Sequence, residues 1–310
     1  MKLIKYFKNP KLVIKYLNIK RLHGSYGKKL DDEMYLKKIF RLTMGKELNL
    51  KNPQTFNEKM QWLKIYDRNP LYTMMVDKYL VRNYIAEKLG EEYLIPLLGV
   101  WDSPDDIDFD TLPNQFVLKC NHNSGLGMCI CKDKSKLDIK KVKKELEKGL
   151  KQDYYLTGRE WPYKNVNRKI IAEQYMTDNG AELDDYKVHN FNGVPKVILV
   201  CRDRFKDCGL TEDFYSDNWE HLELKRPEHS NAITNMKRPS ELEEMLELSR
   251  ILSKDLPFIR TDFYTINHKV YFGELTFYPA SGLTGFVPEE WDNTFGDWIK
   301  LPIRGGGNSL

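Results

Sequence analysis

Residues 116–133 read FVLKCNHNSGLGMCICKD. An apolar, β-prone run ends at Lys119, a small polar loop carries Gly125 and Gly127, and a second β-prone run follows. Glycine reaches φ > 0 without steric cost and lets backbone N–H groups approach a ligand, so such a loop with a lysine at its base suits a phosphate. A plain β-hairpin turn accounts for the same residues. A second group lies near the end of the chain, where PFIRTDFYT and KVYFGELTFYPASG flank the turn Ile266-Asn267-His268. This hairpin sets Asp262 and Glu274 in the middle of its two strands, among Phe263, Tyr271, Phe272 and Leu275. Period-2 alternation can bring both carboxylates to one face, where they repel and need a cation. A half-buried charge is costly unless paired, which makes Mg²⁺ a natural partner. Arg260, two positions from Asp262, offers salt bridging as the other explanation.

The elements that position these groups are both helices and strands. LDDEMYLKKIFRLTMGKEL and NPQTFNEKMQWLKIYD read as helices, the second with Thr55 and Glu58 at capping-box spacing before Met60, Leu63 and Ile65. VDKYLVRNYIAEKLG reads as another, with Lys78 at its head and Gly90 as its stop. A Lys/Glu-rich surface helix near 138–151 follows the glycine loop. From residue 169 the pattern turns to strands: KIIAEQYM, DYKVHNF and, after the turn Asn192-Gly193, PKVILVCRDRF. SELEEMLELSRILSKD is an amphipathic helix with Ser240 as cap and Glu243 at the box position. The expected class is α+β with antiparallel sheets.

The 310 residues are 41% hydrophobic and 30% charged, an ordinary soluble composition with enough chain for a sizeable core. No run approaches the roughly 18 apolar residues of a membrane span, and no signal peptide is visible. Five cysteines fit reduced thiols, so a cytoplasmic location is expected. Cys129 and Cys131 share a strand face but lack the second pair of a zinc site. The net charge of +4 is unevenly spread: residues 1–29 hold nine bases and no acid, and removing those nine from 49 leaves 40 bases against 45 acids. Asn9 can cap a helix starting at Pro10, with Leu12, Val13, Tyr16 and Leu17 on one face. Such a segment can rest on an anionic membrane or dock on the protein's own core with a solvated basic face. Charge confined to one end, with no recognition module, argues against nucleic acid.

Two lysines, a glycine hairpin and a two-carboxylate magnesium site are what a nucleoside triphosphate needs. No GxxxxGK[ST] occurs, and Gly125-Leu126-Gly127 lacks the third glycine of a dinucleotide fingerprint. The order DKYLVR, LKCNHNSGLG, AEQYM, DYKVHNFNG, RTD and FGELT resembles the ATP-grasp fold. The wider segments PQTFNEKMQWLKIYDRNP, LPNQFVLKCNH, REWPYKN and YFGELTFYPASG resemble the TupA-like ATP-grasp family from about residue 53 to 302. The resemblance implies two α+β subdomains gripping ATP within residues 67–302, a basic helical region over 1–66 and a flexible tail at 303–310. It implies that Lys78 and Lys119 contact the phosphates and that Asn123, Ser124, Gly125 and Gly127 fold over them. Glu173, Gln174, Tyr175 and Met176 would hold adenine and ribose, Lys187 would point to the nucleotide, and Asp262 and Glu274 would ligate Mg²⁺. Thr276 stands where the family has asparagine, and its hydroxyl can coordinate or hold a ligating water. Arg202, Arg204 and Arg260 are candidates for acyl-phosphate or carboxylate contacts, given arginine's bidentate fit to oxyanions. Ser281 and Gly282 close the same site.

The family is found in teichuronopeptide, capsule and exopolysaccharide biosynthesis, and ATP-grasp enzymes join a carboxylate to an amine or thiol through an acyl-phosphate. The absence of a Cys/His or Ser/His/Asp arrangement agrees with that chemistry. The expected function is an ATP-dependent ligase attaching an amino acid or other amine to a uronic acid of a surface polysaccharide or its precursor, with the reverse polarity open. Trp161, Tyr163 and Trp219 either stack on sugar or anchor their loops. Two other classes remain. Asp106-Ile-Asp108 and Asp108-Phe-Asp110 are DxD patterns of the kind a glycosyltransferase uses, and Thr276 leaves room for an ATP-binding phosphotransferase or scaffold.

Overall fold

Two tight turns set the registers on which the fold rests. Asn192 and Gly193 have φ of 48° and 79°, and Asn267 and His268 have φ of 50° and 60°. A two-residue hairpin loop with both residues left-handed is a type I′ turn, which matches strand twist. The structure, a computed structural model, describes residues 10–178, 183–203 and 209–303. Arg204, Asn9 with the first lysines, and the tail from residue 304 lie outside the described residues.

The helices are α1 (Pro10–His23), α2 (Asp32–Met44), α3 (Phe56–Tyr66), α4 (Leu71–Val76), α5 (Val81–Lys88), α6 (Ile139–Lys151), α7 (Leu242–Ser253) and α8 (Glu290–Trp298), with shorter helical turns between some of them. The strands are β1 (Leu97–Trp101), β2 (Phe116–Cys120), β3 (Met128–Cys131), β4 (Ile170–Gln174), β5 (Asp185–Phe191), β6 (Val194–Arg202), β7 (Thr211–Ser216), β8 (Phe258–Ile266) and β9 (Lys269–Thr276). They form a four-stranded sheet in the order β1-β4-β2-β3 and a five-stranded sheet in the order β7-β6-β5-β8-β9. Every pairing is antiparallel.

Two bulges decide which side chains share a face. From the Asn267-His268 turn the register runs Ile266↔Lys269 to Phe263↔Phe272, after which Asp262 pairs with Glu274 and Gly273 is left over. A one-residue slip exchanges the two faces of a strand. The bulge at Gly273 is therefore what brings Asp262 and Glu274 side by side. In the β5–β6 hairpin, Asn190 pairs with Pro195 and His189 with Val197, leaving Lys196 as the extra residue. Lys187 consequently faces with Leu199, and Arg202 falls on the opposite face.

That opposite face of the larger sheet, with Tyr186, Val188, Thr261 and Phe263, is covered by α7 through Leu242, Met245, Leu246 and Leu252, all buried. The cap of α7 differs from expectation. Ser240 Oγ donates to Glu241 Oε1 at 2.7 Å and sits 3.3 Å from His268 Nδ1, because the β8–β9 turn reaches the helix end. The residue before α7 is Glu241, with no side-chain cap. The Thr55–Glu58 capping box forms as expected at the start of α3. Phe56 then meets Phe258 edge-on at 5.1 Å and Phe295 at 5.9 Å, so α3, the larger sheet and α8 share one core that runs across residue 66. A separate, smaller core of Phe116, Leu118, Leu146, Ile170 and Ala172 lies between the four-stranded sheet and α6.

The glycine loop bridges β2 and β3, with Gly125 at φ 82° and Gly127 at φ 70°. A Cβ on Gly127 would lie 2.7 Å from Cys120 Sγ and 2.8 Å from Gly149 Cα of α6, whereas one on Gly125 would meet nothing within 4 Å. The root of the loop is packed on α6 and its tip is open. Gly125→Ala should cost about 1–2 kcal/mol, the left-handed strain alone. Gly127→Ala should cost about 2–4 kcal/mol, because the backbone of α6 must also shift. Urea unfolding of both variants checks this, and equal losses would refute the packed root.

Candidate active site

Lys187, Asp262 and Glu274 lie side by side across β5, β8 and β9, and His189, Arg260 and Thr276 form the next row on the same face. Arg260 Nε and Nη2 donate to Asp262 Oδ1 and Oδ2, each at 2.6 Å, and Nη2 reaches Glu274 Oε1 at 3.1 Å. Lys187 Nζ is 2.6 Å from Asp262 Oδ2 and 3.1 Å from Asp185 Oδ2. The acid pair is thus salt-bridged by Arg260, one of the two explanations its sequence allows. Burial alone would raise the Glu274 pKa, but Lys78, Arg260, Lys187 and Lys119 outweigh it and hold the carboxyl down to about 2. Thr276 Oγ1 donates to Glu274 Oε1 at 3.3 Å.

The smaller sheet supplies the facing side. Asp77 Oδ1 accepts from the N–H groups of Tyr79 and Leu80 at 2.8 and 3.2 Å, capping the turn into α5, and from Asn121 Nδ2 at 2.9 Å. This ties the head of α5 to the end of β2. Lys78 Nζ donates to Asn123 O at 2.9 Å and lies 3.7 Å from Glu274 Oε2, so one ammonium links the glycine loop to the carboxylates. Lys119 Nζ is 2.5 Å from Glu173 Oε2, and Arg82 Nη1 is 3.6 Å from Glu173 Oε1. After Glu173 the chain leaves β4 through exposed Gln174 and half-buried Tyr175 and Met176. Lys78, Lys119, Lys187, Arg260 and the acid pair therefore converge, while Ser124 and Gly125 stand exposed at the tip of the loop.

Arg202 is not brought to this group. The bulge in β5–β6 turns it to the other face, where Nη2 donates to Asp213 Oδ2 at 2.8 Å and Thr234 O at 3.0 Å. Asp106, Asp108 and Asp110 are exposed, and Asp108 Oδ1 accepts from the Asp110 N–H at 3.0 Å, an Asx turn. Trp219 stacks on Tyr215 at 4.3 Å and donates to Met236 O at 3.1 Å, which makes it a loop anchor. Tyr163 meets Tyr154 edge-on at 4.7 Å, and both feel the charges of Glu274 and Arg260. Sequence reasoning missed Arg82, Asp185 and Tyr154. Asp185 carried a usable signal, since it stands two residues before Lys187 and shares its face by alternation.

One wall is built under strain. Ala280, Ser281 and Gly282 have φ of 48°, 57° and 58°, and left-handed residues other than glycine cost about 1–2 kcal/mol each. Buried Lys64 fixes them, its Nζ lying 2.7 Å from Ser281 O, 2.8 Å from Ser281 Oγ and 2.8 Å from Gly158 O. Gln61 Nε2 donates to Ser281 O and Gly282 O at 3.1 and 2.6 Å. Burial lowers the Lys64 pKa to about 8. Ser281 and Gly282 thus shape the site through their backbone.

Among the described residues no three His, Cys, Asp or Glu side chains converge to hold a metal by themselves. Two adjacent carboxylates with a hydroxyl beside them do suit Mg²⁺, which keeps several waters and binds through one or two carboxylates together with phosphate oxygens.

Two sheets meeting across a glycine loop, paired lysines and two acids make this an ATP-grasp protein. The chain belongs to the TupA-like ATPgrasp family, whose model matches residues 58–300. No curated protein matches it. A structure of D-alanine–D-alanine ligase from Bacillus anthracis is similar over 66% of this chain and 57% of its own, at 16% identity and a TM-score of 0.38. The same ligase complexed with ATP aligns over 89% and 75%, at 16% identity and 0.46. The Helicobacter pylori enzyme aligns over 80% and 70%, at 20% identity and 0.37. This chain spans little more than half of the first of these, and likenesses at such scores add nothing to the family assignment.

His189, beside Arg260, is buried with Nδ1 3.1 Å from Lys187 O. Burial, then the charges of Arg260 and Arg226, push its pKa from 6.5 down to about 3. The unfolded chain takes up this proton near its ordinary value while the folded chain does not. Stability should therefore fall by about 1.4 kcal/mol per unit as pH drops from 6.5 toward 3. His189→Gln should remove that component. Urea unfolding at pH 6.5 and about pH 5 checks it, and the same pH slope in both proteins would refute it.

Proposed function

We propose that residues 67–302 are the ATP-grasp unit of an ATP-dependent ligase that forms an amide through an acyl-phosphate, preceded by a basic helical region whose helices α2 and α3 pack on it. The observation that carries this reading is the Lys78 ammonium, shared between the glycine loop at Asn123 O and the carboxylate of Glu274. Phosphates lying under the loop would be next to the acids. In this reading Lys78, Lys119 and the N–H groups of Asn123, Ser124, Gly125 and Gly127 hold the phosphates, and Glu173 to Met176 hold adenine and ribose. Asp262, Glu274 and Thr276 would hold Mg²⁺, which when bound neutralises the β- and γ-phosphates. A substrate carboxylate oxygen attacks the γ-phosphorus and the bond to ADP breaks. The amine nitrogen then attacks the acyl carbon, the C–O bond to phosphate breaks, and phosphate leaves as the amine proton passes to solvent. Lys187 and Arg260 neutralise the transferring group, and no protein nucleophile is needed.

The acid substrate we propose is a uronic acid of a surface polysaccharide or its precursor, and the amine an amino acid or related compound. Membership of the family supports this, as does the half-exposed Tyr154–Tyr163 pair next to Glu274 and Arg260. Exposure of the DxD aspartates and their use in a turn disfavours a glycosyltransferase.

We also propose that the protein works in the cytoplasm at the inner face of the membrane. Among the described residues no helix is long and apolar enough to cross a bilayer. Helix α1 is anchored at its C-terminal end by buried Leu22, while Leu12, Ile14 and Leu17 are exposed near Lys15, Lys20 and Arg21. Exposed apolar side chains interspersed with basic ones suit an anionic interface.

Mg-ATP should raise the melting temperature of the wild-type protein. Lys119→Ala and Asp262→Asn should lose most of that shift, since a ligand at 100 times its Kd adds about 2.7 kcal/mol. An unshifted wild type, or shifts unchanged in both variants, would sink the assignment. Sedimentation with vesicles containing phosphatidylglycerol should carry the protein down, and pure phosphatidylcholine should not. The triple variant Leu12→Ser, Ile14→Ser, Leu17→Ser should stay in solution. Equal sedimentation of wild type and variant would refute the α1 contact.

A further inference from the structure

The two acids of the site have four carboxylate oxygens, and protein groups occupy three of them. Arg260 takes both oxygens of Asp262 at 2.6 Å, and Lys187 adds a second cation 2.6 Å from Oδ2. Glu274 Oε1 accepts from Arg260 Nη2 at 3.1 Å and from Thr276 Oγ1 at 3.3 Å. Glu274 Oε2 has no hydrogen bond among the described residues, its neighbour Lys78 Nζ lying 3.7 Å away. The Glu274 side chain is 38% exposed and that of Asp262 only 1%, so an ion from solvent meets Glu274 first. The groups nearby that could extend this ligand set are committed elsewhere. Lys187 stands between Asp185 and Asp262, 3.1 Å from Asp185 Oδ2. His189 is buried, with its ring turned to the backbone of Lys187 and Val197. Thr276 carries its oxygen on Cβ, close to the strand, and spends its proton on Glu274.

We infer that this site takes one divalent cation per nucleotide and not two, with Arg260 supplying in fixed form the charge that a second ion would bring. The inference rests on the nucleotide reading above and concerns how that site is filled. Mg²⁺ binds through one or two carboxylates together with phosphate oxygens and water, so Asp262 and Glu274 are enough for one ion. Paired ions in phosphoryl-transfer sites lie about 3.5–4 Å apart, and the second needs an oxygen of its own beyond the shared acid. On that side of Glu274 it would find a hydroxyl turned to the acid and a guanidinium in the same row. A guanidinium keeps its charge inside a protein, so it repels a dication at that distance at any working pH.

Electron paramagnetic resonance of Mn²⁺ with the full chain and the non-hydrolysable analogue AMP-PNP tests this without any acid or amine substrate. Mn²⁺ accepts the same oxygen ligands as Mg²⁺, and its free form is counted directly. With Mn²⁺ in excess, the wild type should hold one ion per bound nucleotide and show the spectrum of an isolated ion. Thr276→Asn extends an amide oxygen from the same strand position. It should double the count and broaden the lines, as ions about 3.5–4 Å apart do. The Mg-ATP melting shift of the variant reports that it is folded, and the wild-type count needs no variant. Two ions on the wild type would overturn the inference. One ion on a folded Thr276→Asn would overturn it as well, since the missing oxygen would then not set the count. Absence of protein-dependent AMP-PNP binding in the wild type would instead overturn the nucleotide reading beneath it.

Discussion

The site depends on one surplus residue. Without the bulge at Gly273 the β8–β9 hairpin would pair Asp262 with Gly273 and turn Glu274 into the face covered by α7. A carboxylate there would lie among Leu246, Leu252 and Phe263 with no cation to meet it. With the bulge, both acids face the gap between the sheets and share Arg260. Glycine suits the position for want of space, because a Cβ would sit 3.1 Å from Asp262 O and 3.1 Å from the Tyr264 ring. The β5–β6 bulge at Lys196 sends Arg202 to the other face, while the unbroken β5–β8 register keeps Lys187 beside Asp262.

Around this pair the structure gathers its charges by rigid means. Lys187 and Arg260 come from strands, where direction is set by the pleat. Lys78 comes from a helix start that Asp77 and Asn121 hold to the end of β2. The far wall is a turn of left-handed residues clamped by a buried lysine and glutamine. Strain of this kind persists only where the surroundings over-determine it, and it clusters where geometry must be held.

Much of this was legible in the sequence. Turn pairs, strand alternation and the capping box are local signals, and the structure repeats them at Asn192-Gly193 and at Thr55–Glu58. Motif order was enough to name the family. The failures share a cause. Ser240 has the sequence of a cap, but a histidine 28 residues away competes for its hydroxyl. Arg202 sits two strand positions from Val200, and only the bulge at Lys196, six residues earlier, decides its face. The Arg226–Glu212 fork joins a loop to β7 and the Asn57–Asp292 bond joins α3 to α8, contacts that no periodicity encodes. Register and long-range contact are properties of the folded chain, and spacing alone carries neither.

The resting charge pairs have a consequence for selectivity. Lys119 is engaged by Glu173, Lys78 by Glu274, and Arg260 by both acids. A purely anionic ligand must take cations from carboxylates that then stand exposed to one another, so its gain is reduced by their repulsion. A divalent cation alone meets carboxylates already neutralised by arginine and lysine. A ligand that carries phosphate and metal together satisfies both halves at once, and each released acid finds a new counter-charge as its old one departs. In the function proposed above such a site would work as an exchange of partners, and it would favour the metal–nucleotide complex over either component without any single group dedicated to telling them apart.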